Sequence, residues 1–189
     1  MRCFVAVALP QPVRDILRDI QADLKSSGAD VRWVGSGHVH LTLKFMGDLN
    51  PKKLPLVRQI IHECAGAHTA FSASLHSLGT FPPSGAPRVI WMGIDEGKTR
   101  VVSLAEDLQK RIAVKAGIPQ EKRHFLPHIT IGRIRSMRGL SELSEKIQQN
   151  AEKNRKEVFT VDTLLFMKST LTPQGPVYET LQEASLIMT

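Results

Sequence analysis

Two short stretches of the sequence pair a histidine with a threonine two residues later. His40 precedes Thr42 in HLTLKF, and His128 precedes Thr130 in HITIGR. An imidazole has a reference pKa of about 6.5, so two histidines together can act as acid and base near neutral pH. A threonine hydroxyl can donate a hydrogen bond to a phosphate oxygen and stabilise the charge that develops on it. If the two motifs meet, they supply the groups needed to cleave a phosphodiester without a metal.

Both motifs lie in segments that alternate apolar and polar residues, as half-buried strands do. The first segment is VHLTLKFM at 39–46, and the second is FLPHITIGRI at 125–134. Residues two apart in a strand point to the same side, so the histidine and threonine of each motif are predicted to lie side by side. One His-x-Thr alone is more typical of an ordinary surface strand. Two matched copies instead indicate a duplicated half and a shared site.

The rest of the chain is predicted to form helices and strands that position these two motif strands. Val13, Leu17 and Leu24, for example, recur at the spacing of an amphipathic helix. Helices that alternate with strands and hairpins favour an α+β or α/β fold over an all-helical or all-β fold. The predicted strands are 3–9, 39–46, 71–79, 87–94, 125–134, 158–169 and 176–186, the last two flanking a turn at 172–175, and the predicted helices are 13–24, 53–65, 104–112 and 140–147.

Length and composition indicate one globular domain with a basic surface. The chain has 189 residues, of which 42% are hydrophobic and 23% charged, so disordered, collagen-like and coiled-coil proteins are excluded. A net charge of +7 favours a polyanionic partner, and nucleic acid is the leading one. No apolar stretch approaches the roughly 18 residues that a membrane span needs. We therefore expect a protein that does not enter a membrane.

The two cysteines, Cys3 and Cys64, fit neither a disulfide scaffold nor a paired zinc motif. A reducing compartment is the simpler interpretation, and we expect the protein in the cytoplasm. His62, Cys64 and His68 include metal-ligating residue types, but positions two and six apart do not share one helix face. We therefore expect no metal site and no cofactor.

Five segments, taken in order, resemble a known family. The sequence is similar to the two-histidine phosphoesterases, which are defined by two His-x-Thr/Ser motifs, and within them to the RNA 2′,3′-cyclic phosphodiesterases, also called 2′-5′ RNA ligases. A lone His-x-Thr is weak evidence for this family, whereas five segments in family order are strong evidence. The segments are RCFVAVALP at 2–10, RWVGSGHVHLTLKFMGDL at 32–49, GTFPPSGAPRVIWMGI at 79–94, FLPHITIGRIR at 125–135 and KSTLTPQGPVYETL at 168–181.

The resemblance implies a fold and a set of site residues. The fold would be one bilobal domain over residues 1–189, with two similar lobes of mainly antiparallel sheet, outer helices, a pseudo-two-fold axis and a central cleft. His40 would be the general acid and His128 the general base, although these two roles could be exchanged. The residues that would bind the substrate and its phosphate are Thr42, Thr130, Arg133 and Phe45.

Two of these residues raise a geometric difficulty. Strict alternation places Phe45 and Arg133 on the faces opposite His40 and His128. A bulge permitted by Gly132 would turn Arg133 back toward the cleft. Phe45 would either reach the cleft where its strand ends or belong to the core. The same alternation leaves His38 either at the rim of the cleft or in an exposed loop.

The leading hypothesis is metal-independent hydrolysis of an RNA-terminal 2′,3′-cyclic phosphate to a 2′-phosphomonoester. The same chemistry run backwards, with a 5′-hydroxyl in place of water, would join RNA ends, for which tRNA halves are candidate partners. Arg133, Arg135 and Arg138 would attract the RNA backbone, and we expect the enzyme to act as a monomer. Two alternatives remain open: a cyclic phosphodiesterase acting on a small nucleotide or nucleotide-sugar, and a non-catalytic RNA-binding module.

Overall fold

The computed structural model describes residues 1–121, 123–153, 157–173 and 175–188. Four α-helices and nine strands make up the main regular structure of these residues. The helices are α1 (Gln11–Lys25), α2 (Leu54–Ala65), α3 (Lys98–Ala116) and α4 (Leu140–Glu152). The strands are β1 (Arg2–Val7), β2 (Val31–Trp33), β3 (Leu41–Asp48), β4 (Phe71–Phe81), β5 (Val89–Ile94), β6 (His128–Ile134), β7 (Val158–Val161), β8 (Thr163–Thr172) and β9 (Gly175–Ser185).

All nine described strands join in one antiparallel sheet. Eight of them follow the order β7-β4-β5-β6-β3-β1-β8-β9, and β2 pairs with β6 away from this path. The two motif strands, β6 and β3, meet at the centre and share a single residue pair. We call β1, β3, β8 and β9 the β3 half, and β2, β4, β5, β6 and β7 the β6 half. The predicted α+β fold with mainly antiparallel sheet is confirmed.

Each half of the sheet is covered by a helix that follows a strand of the other half. Helix α1 follows β1, yet its Gln21 side chain donates hydrogen bonds to the Val34 carbonyl (2.7 Å) and to the Ile131 carbonyl in β6 (2.8 Å). Helix α3 follows β5 but contacts β3, and Lys44 of β3 donates to the Pro119 carbonyl beyond that helix (2.8 Å). Helix α2 follows β3 and contacts β8 and β9 of the β3 half, whereas α4 follows β6 and contacts β4 of the β6 half. These two helices therefore cover their own halves. The two halves therefore interlock.

The apolar residues of both halves form one continuous core. The helical spacing in α1 buries Val13, Leu17 and Leu24 completely, which confirms the predicted amphipathic helix. The two central strands contribute Leu41 and Ile129, which are also completely buried. Each such side chain stabilises the fold by about 1.5–3 kcal/mol relative to an exposed position. This core faces the helices and leaves the opposite face of the sheet free to form a site.

The structure corrects several predicted boundaries and adds one strand. The strand predicted at 158–169 is two strands, because the Asp162 carbonyl accepts from the Leu186 amide while β7 pairs with β4 and β8 pairs with β1. Strand β6 begins at His128 rather than at 125. Strand β2 was not predicted, since three residues are too short to show alternation. The predicted turn at 172–175 includes Gln174, which lies outside the described residues.

None of the helices in the described ranges has both the length and the apolar composition needed to span a bilayer.

Candidate active site

The one residue pair between the two motif strands brings the motifs together. Leu41 of β3 lies opposite Ile129 of β6 in antiparallel register, and both side chains point into the core. One position away on either side, this register sets His40 opposite Thr130 and Thr42 opposite His128. These four side chains share the face opposite the core. The two histidines are diagonal neighbours across the strands, on the order of 7–8 Å apart.

Both histidines are held by the same local hydrogen bond. The Nδ1 atom of His40 lies 2.7 Å from the His38 carbonyl, and Nδ1 of His128 lies 2.8 Å from the Leu126 carbonyl. A carbonyl oxygen only accepts hydrogen bonds, so the proton of each neutral ring is on Nδ1. The Nε2 atom of each ring therefore carries the lone pair and can exchange a proton with a substrate.

The rings around the two histidines differ. Phe4 stacks on His40 with centroids 4.8 Å apart and ring planes 24° apart, and Tyr178 presents its edge to the same imidazole at 5.4 Å. His128 meets the edge of Phe81 at 5.1 Å. Burial lowers the pKa of His40, partly offset by the hydrogen bond to the His38 carbonyl. His40 is thus the more enclosed of the two.

A bulge in each motif strand resolves the problem of strand alternation. In β3, Thr42 pairs with Ala6 and Lys44 pairs with Val5, so Leu43 is left without a partner residue. In β6, Thr130 pairs with Trp91 and Gly132 pairs with Ile90, so Ile131 is skipped in the same way. One extra residue reverses the alternation of everything that follows it.

The bulges turn Phe45 and Arg133 onto the face of the motifs, where both line the cleft. The bulge predicted beside Gly132 is present, whereas the bulge in β3 was not predicted. Phe45 is 56% exposed, so the interpretation of it as a core residue is wrong. A Cβ atom on Gly132 would lie 2.9 Å from Cγ1 of Val31. The glycine therefore allows the close approach of β2.

A cleft of about 790 Å³ lies over this face of the sheet. Five of the six predicted site residues line it, and the sixth, His128, lies beside them opposite Thr42. His38 is exposed and belongs to the rim, where its ring lies 5.2 Å from the ring of Tyr178. The five lining residues are His40, Thr42, Phe45, Thr130 and Arg133.

The described lining of the cleft carries three arginines and one carboxylate. Asp48 is that carboxylate, and it lies 3.7 Å from the amino terminus. The arginines are Arg2, Arg32 and Arg133. Burial raises the pKa of Tyr178, whereas the nearby guanidiniums of Arg133 and Arg32 act in the opposite direction. The cleft is therefore suited to an anion.

Three residues of the cleft escaped sequence reasoning. Phe4 is a buried residue of a largely apolar strand, and Arg32 and Tyr178 lie outside any His-x-Thr motif. The family resemblance did include the segments that contain all three residues, and this was the signal available for them. Their roles follow only from the contacts that the fold brings about.

Two of the three candidate metal ligands do come together, contrary to the helix-face argument. His68 lies beyond α2, which ends at Ala65, and its Nε2 atom reaches Asp107 Oδ2 at 3.0 Å, while the Cys64 thiol lies 3.6 Å from the same oxygen. Arg111 donates to both oxygens of Asp107, at 2.9 and 2.8 Å. Burial raises the pKa of Cys64 to about 12. A guanidinium thus already balances the carboxylate, and the group acts as a polar link between α2 and α3.

Comparison with known sequences gives matches over nearly the whole chain. The model of the 2′-5′ RNA ligase superfamily matches residues 7–172. A protein of Methanothermobacter thermautotrophicus named RNA 2′,3′-cyclic phosphodiesterase is 34% identical, over 96% of this chain and 97% of its own length. A protein of the same name from Aquifex aeolicus is 32% identical, over 97% of this chain and 96% of its own length.

Solved structures show the same architecture. A crystal structure of a Thermus thermophilus protein matches with a TM-score of 0.81 at 30% identity, and the match covers 98% of both chains. Apo LigT of Escherichia coli matches with a TM-score of 0.75 at 23% identity, over 98% of this chain and 96% of that one. At that identity, the second match concerns the fold alone. The curled antiparallel sheet with outer helices is common to all three chains.

Proposed function

Because the chain belongs to the 2′-5′ RNA ligase superfamily, we propose that it hydrolyses RNA-terminal 2′,3′-cyclic phosphates to 2′-phosphomonoesters. The observation that carries this proposal is the Leu41–Ile129 pair, which sets both His-x-Thr motifs on one face of the sheet. The relatives named RNA 2′,3′-cyclic phosphodiesterase support the substrate class. Residues 1–189 act as one catalytic domain, since the site draws on both halves.

The reaction requires one proton acceptor and one proton donor. Water attacks the phosphorus atom while Nε2 of His128 takes its proton, and a new P–O bond forms. The bond from phosphorus to the 3′ oxygen breaks, and that oxygen takes a proton from Nε2 of His40. The hydroxyls of Thr42 and Thr130 donate hydrogen bonds to the non-bridging oxygens, where charge develops. The net change is the addition of one water molecule.

The environment of His40 suits the role of proton donor to a leaving alkoxide. Burial lowers the pKa of His40, so its imidazolium is a stronger acid than the free side chain. The negative charge of a bound phosphodiester favours the protonated form of His40, so that His40 holds the proton it must donate. Arg133 contacts the phosphate, and the exposed ring of Phe45 provides a stacking surface for the terminal base.

We propose that the same site also joins RNA ends. A 5′-hydroxyl that replaces water would attack the cyclic phosphate and leave a 2′-5′ linkage, with the same two histidines moving the protons. RNA ends such as those of tRNA halves are the corresponding partners. Cys3 and Cys64 are both buried free thiols, in keeping with a reducing compartment such as the cytoplasm. We propose a monomer as the working unit.

The test is a mass-resolved assay of a short RNA that ends in a 2′,3′-cyclic phosphate, with EDTA present throughout. Wild type should add the mass of one water molecule and yield a 2′-phosphate, and His40→Ala and His128→Ala should each lose about 10²–10⁴-fold in kcat. Circular dichroism of the variants controls for folding.

Two other outcomes of this assay separate the alternatives. If the folded wild type does not hydrolyse RNA ends but hydrolyses a small cyclic nucleotide, then small nucleotides, and not RNA, are its substrate class. Binding of RNA without turnover, unaffected by either histidine variant, would contradict the enzymatic proposal altogether and favour a binding module.

A further inference from the structure

Two arginines of the cleft lie directly opposite each other on neighbouring strands. Arg32 of β2 is the register partner of Arg133 of β6. Like charges at directly opposite positions of a sheet destabilise it. Within the described part of the chain, neither guanidinium has an ion-pair or hydrogen-bond partner. The pair therefore concentrates positive charge that the described residues leave unneutralised.

The side chain of Arg32 crosses the end of the cleft to the β8–β9 hairpin. A Cβ atom on Gly175 would lie 2.5 Å from Nη2 of Arg32, so the guanidinium lies against the bare backbone of that glycine. The φ angle of Gly175 is +140°, which side chains rarely tolerate. The guanidiniums of Arg32 and Arg133 both act on Tyr178, which places the two charges around one ring. A side chain at position 175 would occupy the space of the Arg32 guanidinium, and glycine leaves that space to the arginine.

The position of Arg32 differs from that of the reacting phosphate. Because of the bulge, Arg133 is two strand positions from Thr130, or about 7 Å, and Arg32 is a further strand spacing of about 4.8 Å away. In the proposed reaction, the two histidines, the two threonines and Arg133 already surround the reacting phosphate. Arg32 lies farther from Thr130 than Arg133 does, and its planar guanidinium can donate two parallel hydrogen bonds to one phosphate group.

We propose that Arg32, which lies beyond Arg133 at the end of the cleft, binds a second phosphate, the one on the 5′ side of the terminal nucleotide. This inference rests on the proposed hydrolysis of cyclic phosphate ends. The second phosphate is either the internucleotide phosphodiester of an RNA chain or the 5′-phosphate of a single nucleotide. In both cases Arg32 determines specificity, because a nucleoside 2′,3′-cyclic phosphate without a 5′-phosphate cannot use it.

Three substrates test this inference. They are a nucleoside 2′,3′-cyclic phosphate with a free 5′-hydroxyl, the same compound with a 5′-phosphate, and a dinucleotide ending in the same cyclic phosphate. Arg32→Gln should lower kcat/KM for the last two by about 10- to 100-fold, the cost of losing hydrogen bonds to a charged group. The first substrate should change by less than about twofold, since it lacks the second phosphate.

Two further variants serve as controls. Arg58→Gln removes the same charge from the exposed side of α2, outside the cleft, and should leave kcat/KM for all three substrates unchanged. Arg32→Lys keeps the charge but loses the planar pair of donors, so its loss should be intermediate. If Arg32→Gln folds poorly, this lysine variant carries the test.

Each outcome bears on one claim. Equal losses on all three substrates would overturn the second-phosphate inference and assign Arg32 to the reacting phosphate. No loss on any substrate would overturn it as well. Loss on the dinucleotide alone would identify the internucleotide phosphodiester as the ligand, and loss on both would show that any 5′-phosphate suffices. Failure of wild type on all three substrates would contradict the proposed function instead.

Discussion

The β3 half and the β6 half carry the same His-x-Thr motif followed by the same bulge, and they differ in the residue that the bulge exposes. In the β3 half that residue is Phe45, which offers an exposed aromatic face, whereas in the β6 half it is Arg133, which offers a charge. The antiparallel register places these two side chains at opposite ends of the shared site. In the proposed reaction, the repeated histidines carry the protons, whereas Phe45 faces the nucleobase of the substrate and Arg133 faces its phosphate.

The halves also differ in what encloses the histidine. His40 has a stacked ring on one face and a second ring edge-on, whereas His128 meets one ring edge. The two histidines are chemically identical, but the aromatic rings around them differ. In the proposed mechanism, this difference favours His40 as the proton donor and His128 as the proton acceptor.

The largest expected effect breaks the pair of histidines. His40→Gln and His128→Gln should each lower kcat by about 10²–10⁴-fold, because a glutamine cannot transfer the proton. The double variant should be only slightly worse than either single variant, since two groups that act in one displacement are not additive. Single-turnover rates of the three variants check this. Additive losses would show that the histidines act in separate steps.

The second prediction removes the charge that is peculiar to the β6 half. Arg133→Gln should lower kcat/KM by about 10- to 100-fold, as expected for lost hydrogen bonds to a phosphate. Arg133→Lys should recover part of this loss, because it retains the charge but not the planar donors. Steady-state kinetics on one RNA substrate measure both variants. A loss in kcat/KM no larger than that of the control variant Arg58→Gln would mean that Arg133 faces solvent during turnover.

The third prediction uses pH to separate the two histidines. In His128→Gln the proton donor is the only remaining histidine of the pair, so its residual activity should fall as pH rises through a pKa below 6.5. The fall should approach about tenfold per pH unit above that pKa. His38 and Tyr178, which face the His40 ring, stay unchanged in this comparison. Activity that rises with pH in this variant would exchange the acid and base roles.

The fourth prediction concerns the aromatic end of the site. Phe45→Leu should raise KM for an RNA end by about tenfold, within the roughly 1–3 kcal/mol that stacking of a base on a ring contributes. Phe45→Tyr retains the ring and should leave KM close to that of wild type. Kinetics on substrates that differ only in the terminal base show whether stacking is involved. Equal KM values for the leucine and tyrosine variants would exclude it.

The smallest effect tests the packing behind the β6 bulge. Gly132→Ala should destabilise the fold by about 1–2 kcal/mol, because the added methyl group would press on Val31 and the core must shift. Gly37→Ala is the matched control, since a Cβ atom there meets no atom within 4 Å. Thermal or denaturant unfolding measures the difference. Equal stability of the two variants would show that β2 yields without cost.

Periodicity in the sequence predicted most of the elements and placed the histidine and threonine of each motif on one side of its strand, because alternation over several residues is a strong signal. That the two motifs meet followed from the family resemblance and not from periodicity. Periodicity failed where the signal is absent. A bulge such as that at Leu43 leaves no mark in the composition of a strand, so Phe45 stayed ambiguous between cleft and core. Gly132 did mark its bulge, since a glycine within a strand pattern is unusual. The position of Arg32 in the cleft depends on a three-residue strand and on a contact with a distant hairpin, and neither feature can be predicted from local spacing.

The exchange of α1 and α3 between the halves makes the stability of each half depend on the other. A half folded alone would keep only α2 or α4 over its sheet, because α1 lies against the β6 half and α3 lies against the β3 half. An exchange of elements between two similar units is the arrangement of a domain-swapped dimer, here contained within one chain.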